Sequence, residues 1–511
     1  MNLSEHICPN GDVILYAGTP DLAMLDALAA GPGDVWHSSF EQGYKNAFMD
    51  IAYQTAIFFW YVKDFNGLDQ CGSWRVNPFQ FAVRKKVWEF MGGFDPDYQS
   101  PIAQALHFGF NALRNQGIVV LYTKGLFADE TITYEKISRK ERYAFFRKNF
   151  KTQHSIYMLY RKGIVNPLEW LAFFKARKFK MDAPKPIFPV KELAPMTGQP
   201  TVSYIIPTMS RQDYTLQLLQ DLVNQTYRPT QVVVVDATPE DKRDASLYNP
   251  GDYPFEVHFV WQTTKGSCRA RNEAIVLCTG DYIIFGDDDI RLRPDFVENH
   301  IRFQQTYKVD GANGLDIRAD HHTDGLDKLE EKIKASGSKR IHSGLAQLMS
   351  NSNACVKREW VEKLVGNDIN YDGGYGEDND FGLSCAKAGV IMMQNPYSVN
   401  LHLKPPAGGY RVWGMQAKIM GKKRKTQPWE LDTPVKWIRP VPSPTLMYYF
   451  HKHFGPDMVT EYRHKYFFTF LFKGAKSSLL LRILRLPYRQ LQFNKSKFYA
   501  KKLMALGKRV K

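Results

Sequence analysis

Three aspartates in a row, Asp287-Asp288-Asp289, close an apolar run that begins at Gly280. Carboxylate oxygens are hard ligands suited to Mg²⁺ or Mn²⁺, ions that take one or two protein carboxylates and complete their shell with substrate phosphate. A second acidic pair, Glu377-Asp378, follows Gly376, and His402 comes later in Leu401-His402-Leu403. A carboxylate can take a proton from an attacking hydroxyl, and an imidazole can join two carboxylates around one ion. Arg269, Arg271 and Asn272 stand together upstream; arginine forks suit phosphate oxygens, and equally form ion pairs along a helix face. Each piece has a plain alternative. The triplet can be a solvated loop, Glu377-Asp378 the capped start of a surface helix, and His402 a structural residue.

The elements that must position these residues alternate. Val202–Pro207 reads as a strand, and Leu216, Leu219, Leu222 and Val223 as the apolar stripe of the helix after it. Gln231–Asp236 and Glu256–Trp261 read as two further strands, and a helix through Ala270–Leu277 leads into the strand that ends on the triplet. This order implies an α/β domain over residues 201–415, mainly parallel with helices on both faces. Such sheets bind ligands at the C-terminal ends of their strands, where the triplet falls. Pro184, Pro186, Pro189, Pro195 and Pro200 mark a semi-rigid linker. With the basic, aromatic, helical stretch Ser138–Lys180 it occupies residues 126–200.

The first part of the chain repeats the later domain. Ala82 to Lys86 aligns with Cys355 to Glu359, and at the same offset Asp95, Tyr98, Phe108 and Gly109 match Asp368, Tyr371, Phe381 and Gly382. Gly11–Tyr16 likewise resembles Gly280–Phe285. Residues 1–125 therefore read as the second half of the same domain without its chemistry: Gly18-Thr19-Pro20 stands where the triplet would be, and Gln104-Ala105 where Glu377-Asp378 would be. Such a copy would serve as scaffold, acceptor contact or assembly surface, with a partner subunit or self-association as one way to complete it.

Ser203–Thr208, Val235-Asp236, Lys265–Asn272, Asp287–Asp289 and Gly376–Asp378 occur in one order and spacing. In that order they resemble the GT-A nucleotide-sugar transferases of glycosyltransferase family 2, over about residues 200–415. The resemblance implies a GT-A (Rossmann-like) fold and inverting transfer from a nucleotide-diphosphate sugar to a hydroxyl of a glycan or lipid-linked acceptor, as in bacterial polysaccharide synthesis. It implies that Pro207, Thr208, Arg211 and Asp236 line the nucleoside pocket, with Lys265, Arg269, Arg271 and Asn272 at the nucleotide and its diphosphate and Asp288 near the ribose. Asp287, Asp289 and His402 would hold the divalent metal (Mn²⁺ or Mg²⁺). Asp378 would be the general base, with Glu377 positioning the acceptor or sharing the role. This chain departs from the family after Asp236, where Ala237-Thr238-Pro239 lacks the usual second acid. The segment from Leu403 to Trp413 could fold over the diphosphate as a lid, with Lys404 or Arg411 near the leaving group, or be a plain loop.

At 511 residues with 44% hydrophobic and 14% aromatic content, the chain is long enough for two or three cored domains. Its six scattered cysteines suit a reducing compartment and argue against a zinc site. Neither a secretory signal nor a spanning stretch stands out, so a cytoplasmic location is expected. Net charge is +16, yet 14 of the Lys and Arg fall within residues 462–511, which hold no Asp or Glu. Basic residues beside Leu479–Leu481 and Ile483-Leu484 describe helices on an anionic membrane surface at the inner face of the cell membrane. A basic extension (416–511) packed on its own domain, or one that binds RNA, is the alternative. A non-catalytic carbohydrate- or nucleotide-binding scaffold and a metal-dependent enzyme acting on nucleic acid are the rival functions. The intact acids count against the first. The confinement of charge to the tail counts against the second, so no nucleic-acid partner is expected.

Overall fold

The computed structural model describes residues 2–38, 67–128, 137–337, 341–346, 349–373, 376–410, 430, 434–472 and 474–511. The first sheet is built from β1 (Ser4–Ile7), β2 (Val13–Ala17), β3 (Val35–His37), β4 (Gln70–Gly72), β5 (Phe81–Arg84) and β6 (Val120–Thr123). Its helices are α1 (Leu22–Ala29), α2 (Lys85–Met91) and α3 (Pro101–Asn115). Three more helices follow: α4 (Arg139–Asn149), α5 (Thr152–Gly163) and α6 (Pro167–Lys175). Ser138 opens α4 with a reciprocal capping box to Glu141, which fixes where the helix starts.

The second sheet begins with β7 (Val202–Thr208), β8 (Gln231–Asp236), β9 (Glu256–Trp261) and β10 (Tyr282–Phe285), interleaved with α7 (Gln212–Val223) and α8 (Ser267–Leu277). Every residue of β7 and β8 is buried, as expected of apolar strands covered on both faces. It continues through β11 (Ile290–Leu292), α9 (Phe296–Tyr307), β12 (Gly311–Arg318), α10 (Leu326–Ser336), β13 (Ala354–Lys357), α11 (Arg358–Leu364), α12 (Glu377–Lys387) and β14 (Met392–His402). The strand order is β11-β14-β12-β13-β10-β7-β8-β9. The sheet is α/β as expected, but mixed. Pairs β7–β8, β8–β9, β7–β10 and β12–β14 are parallel, whereas β13 runs antiparallel to both β10 and β12, and β11 runs antiparallel to β14. Periodicity reports burial, and a strand reads the same in either direction.

The two sheets share a plan. The order β2-β5-β3-β6-β4 has the same antiparallel, antiparallel, parallel, antiparallel pairings as β10-β13-β12-β14-β11. Where the large sheet continues to parallel β7, the small one is closed by β1, an antiparallel hairpin partner of β2. Ile14 pairs with Arg84 where Tyr282 pairs with Lys357, one residue away from the sequence alignment of these strands.

The side-chain bonds repeat too. Lys148 of α4 pairs with Asp95 and lies 5.5 Å from the Tyr98 ring centre. Lys452 pairs with Asp368 at 2.9 Å and lies 5.8 Å from the Tyr371 ring. Tyr98 bonds His107 at 3.2 Å and Tyr371 bonds Asp380 at 3.0 Å. Asn149 and His453, the residues after those lysines, reach His107 and Asp380 at 3.1 and 2.7 Å.

The chain ends in α13 (Pro444–Phe472, broken at Gly455-Pro456), α14 (Leu479–Leu484) and α15 (Leu486–Leu506). Much of this extension packs on the chain itself. Met447, Tyr448, Phe450, Phe493, Tyr499 and Leu503 are buried in an apolar core continuous with the first sheet, α4 and the edge of the second sheet. The last residues are tied down as well: Ile369 N–H donates to the Arg509 carbonyl at 2.8 Å and the Asn370 amide to that of Gly507 at 2.7 Å.

Candidate functional site

Parallel registry brings the ends of β7, β8 and β10 to one edge. Thr208 pairs with Asp236, and Phe285 with Ile205, so the triplet starts where β7 is about to end. Gly286 is required there, because a Cβ at that position would meet the Tyr204 ring at 2.5 Å. On the other side, β14 pairs with β11 so that His402 lies opposite Ile290. That register sets His402 beside Asp289 although 112 residues separate them.

The result is a cavity of about 270 Å³ whose walls include Pro207, Arg211, Arg271, Asp287, Asp288, Asp289 and His402. Donor atoms of Asp287, Asp289 and His402 all lie within 4.8 Å of one another. Two carboxylates and an imidazole make a donor set that fits Mn²⁺ or Mg²⁺. His402 Nε2 is 3.3 Å from Asp289 Oδ1, and its Nδ1 is 3.0 Å from Asp316 Oδ1. Burial would lower the His402 pKa, but hydrogen bonds and charge from these two carboxylates raise it to about 10. Burial also acts on Asp289, yet His402 and Arg211 hold its carboxyl below the ordinary value. Arg211 donates to Asp288 at 3.0 Å and to Asp289 at 2.9 Å, and Thr208 Oγ1 donates to Asp288 at 2.8 Å. Asp288 is nevertheless pushed up, because burial outweighs Arg211.

Arg271 is buried and pairs with Asp287. Burial opposes its charge, while Asp287 first, then Asp378 and Glu377 among others, sustain it. Glu377 is buried and Asp378 half-buried in the first turn of α12; neither is among the described residues that line the cavity, but both lie within electrostatic reach of Arg271. From Leu403 to Tyr410 the chain folds back over the triplet. Leu403 N–H donates to the Asp289 carbonyl at 2.8 Å, Gly409 N–H to that of Met209 at 2.7 Å, and Tyr410 Oη to that of Thr208 at 3.0 Å. Lys404 is on the cavity wall; Arg411 lies outside the described residues.

Other expected contacts are turned elsewhere. Asp236 is fully buried, with Thr238 N–H and Tyr248 Oη on its oxygens at 2.8 and 3.1 Å. Asn272 holds the turn after α11 and the C-terminus: its amide donates to the Asn367 and Val510 carbonyls at 2.8 and 2.9 Å. Arg269 is 3.6 Å from Asp372, and Lys265 is exposed. Thr208 is buried under the triplet. Sequence reasoning missed Asp316 and Arg318, which stand two apart on β12 and so share a face; Arg318 lines the cavity and lies 3.3 Å from Asp316. The alternation Leu315-Asp316-Ile317-Arg318, apolar against charged, was the available signal.

Residues 203–365 match the model of glycosyl transferase family 2. Chondroitin synthase from Escherichia coli is 26% identical over 246 residues, 47% of this chain and 32% of that protein. An uncharacterized glycosyltransferase from Haemophilus influenzae is 30% identical over 107 residues, 21% of this chain and 43% of that protein. The chain thus spans less than half the length of either relative. Mannosyltransferase PcManGT from Pyrobaculum calidifontis, solved with GDP-Man and Mn²⁺, aligns over 61% of this chain and 89% of its own at 19% identity and a TM-score of 0.35.

Proposed function

We propose that this chain, which carries a glycosyltransferase family 2 domain of the GT-A type over residues 203–365, is an inverting, metal-dependent glycosyltransferase. It moves a sugar from a nucleotide-diphosphate donor to a hydroxyl of a glycan or lipid-linked acceptor, in the synthesis of a surface polysaccharide. The convergence of Asp287, Asp289 and His402 on one cavity with Arg271 and Arg211 carries this reading. A bound Mn²⁺ or Mg²⁺ would neutralise charge on the departing diphosphate. Arg271, held charged between the triplet and α12, is placed to take a phosphate oxygen in exchange for Asp287. Asp378 is the general base and Glu377 orients the acceptor. Asp236 and Asn272 serve as braces, fixing the end of β8 and the helix that carries Arg271. Residues 1–125 act as a non-catalytic copy of the second half of the domain; the repeated Asp–Lys–Tyr clusters support this.

The location is read from the surface. Phe472, Leu480 and Leu484 are 61%, 69% and 70% exposed, among Arg482, Arg485 and Arg489. Val165 at the α5–α6 tip is 89% exposed, with Leu168 and Phe174 also exposed. Tyr157 of α5 packs edge-on against Phe468 of α13 at 5.0 Å, so both apolar patches sit on joined helices. We assign this basic, apolar face to an anionic membrane surface. No described helix is long and apolar enough to cross a membrane.

The test is a panel of nucleotide sugars assayed for hydrolysis and transfer with Mn²⁺ and Mg²⁺, beside Asp289→Ala. Turnover that needs the metal and vanishes in the variant is expected. Undiminished turnover in Asp289→Ala sinks the metal assignment.

A further inference from the structure

A second cavity is larger than the one beneath the aspartates. About 650 Å³ opens between the first sheet and the second, against the linker Met181–Ile187. Gln394 and Asn313 line it from the beginnings of β14 and β12. Gln394 pairs with Asn313 and His402 with Arg318, five residues further along β12, so at about 3.3 Å of rise per residue the two lie roughly 17 Å apart along the sheet. The two units meet there backbone to backbone. Gly117 has φ +69°, a Cβ on it would lie 2.8 Å from that of His342, and a Cβ on Gly344 would lie 2.9 Å from the Gly117 Cα.

Six carboxamides line the cavity: Asn111, Asn115, Gln116, Asn149, Asn313 and Gln394. Some orient one another, Asn115 donating to Asn111 at 2.6 Å and Asn313 to Gln394 at 3.2 Å. Three buried polar atoms on the wall have no hydrogen-bond partner among the described residues: Gln116 Oε1, Asn149 Oδ1 and His342 Nδ1. Gln116 is 1% exposed, and burial alone lowers the His342 pKa, so that imidazole is neutral. A buried acceptor left unpaired is destabilising, so the wall calls for a donor.

That requirement selects the ligand class. A carboxylate or a phosphodiester offers only acceptors and cannot satisfy the two amide oxygens. An amine brings donors but meets Arg114, Lys148 and Lys185 on the wall against one acid among the described residues, Asp182. Hydroxyl groups both donate and accept and carry no charge. Among the described residues the wall holds no Phe, Tyr or Trp for a sugar face to stack on, so binding through hydrogen bonds alone would be weak and release easy.

The geometry points to a saccharide-binding cleft between the two copies, holding a hydroxyl-rich segment of the acceptor or product glycan away from the metal triad. That the saccharide is acceptor or product rests on the glycosyl-transfer reading above. The test is binding of the full chain to an array of neutral and uronic-acid-bearing tetra- to octasaccharides, followed by titration with the best binder. Gln116→Met and His342→Leu remove single partners, and Asn115→Trp blocks the mouth from an exposed position where folding is not at risk. Each single loss should weaken binding about threefold to tenfold, the worth of one neutral hydrogen bond, and Asn115→Trp should abolish it. Metal-dependent donor hydrolysis should stay unchanged. If wild type binds no oligosaccharide, or Asn115→Trp binds as wild type does, the cleft assignment is overturned. If binding responds to the variants while the wild type hydrolyses no nucleotide sugar, the transfer reading fails and the cleft stands.

Discussion

Asp316 is the residue whose removal tests the metal centre most directly, because it touches neither the cavity nor any expected substrate atom. Its Oδ1 accepts from Asn400 at 2.8 Å and faces His402 Nδ1 at 3.0 Å, which turns Nε2 toward Asp289. Carboxylates behind a ligating histidine fix its tautomer and orientation, and their loss costs about 10–100-fold in metal affinity, or about 1.4–2.7 kcal/mol. Asp316→Ala should therefore weaken Mn²⁺ binding by that factor, read as free Mn²⁺ by electron paramagnetic resonance in a titration without donor. Asp316→Asn can still accept from His402 and should lose only a few-fold. Asp289→Ala, which removes a ligand, should lose more than either. Circular dichroism and a urea midpoint establish that each variant is folded. Wild-type Mn²⁺ affinity in folded Asp316→Ala would refute the ligand role of His402, and equal losses in the Ala and Asn variants would refute the orienting bond.

Asp378→Asn should bind donor nucleotide as wild type does and transfer about 10²–10⁴-fold more slowly, by isothermal titration and a transfer assay; lost donor binding instead would contradict the base role. Lys452→Met should destabilise the chain by about 3–5 kcal/mol in urea, because it strips the buried Asp368 and Asp380 of a shared cation. Burial raises the Asp380 pKa, but His453 and Lys452 bring it below the ordinary 3.8. Its contribution should therefore be complete above that value and drain only as pH falls below it. Leu480→Glu with Leu484→Glu should lower sedimentation with phosphatidylserine vesicles; unchanged binding would reject the membrane face.

How much could be read beforehand differs from residue to residue. The strands around residues 202, 231 and 256 were legible because apolar runs between turn residues describe buried strands. The triplet stood out because it closes a buried strand and stands in order with Asp236, Glu377-Asp378 and His402. The repeat was visible because Asp95 and Tyr98 recur as Asp368 and Tyr371; the lysine completing each cluster was not, because Lys148 and Lys452 follow at different spacings. Asp236 and Asn272 carried the family pattern, yet their polar atoms are bonded to Thr238, Tyr248, Asn367 and Val510. Those partners depend on turns and on the chain's last residues, which no local pattern reports.

The sequence by itself determined the strands and helices from residue 202 to the triplet, the order of the acids, and that the matching stretch at Gly18-Thr19-Pro20 lacks them, because these depend on local residue type and spacing. Tertiary structure alone decided which acids meet. The antiparallel entry of β13 and the pairing of His402 with Ile290 put His402 against Asp289 and Asp316. Strand direction and register follow from the packing of whole faces, and a shift of one residue would have turned His402 to the other side of the sheet.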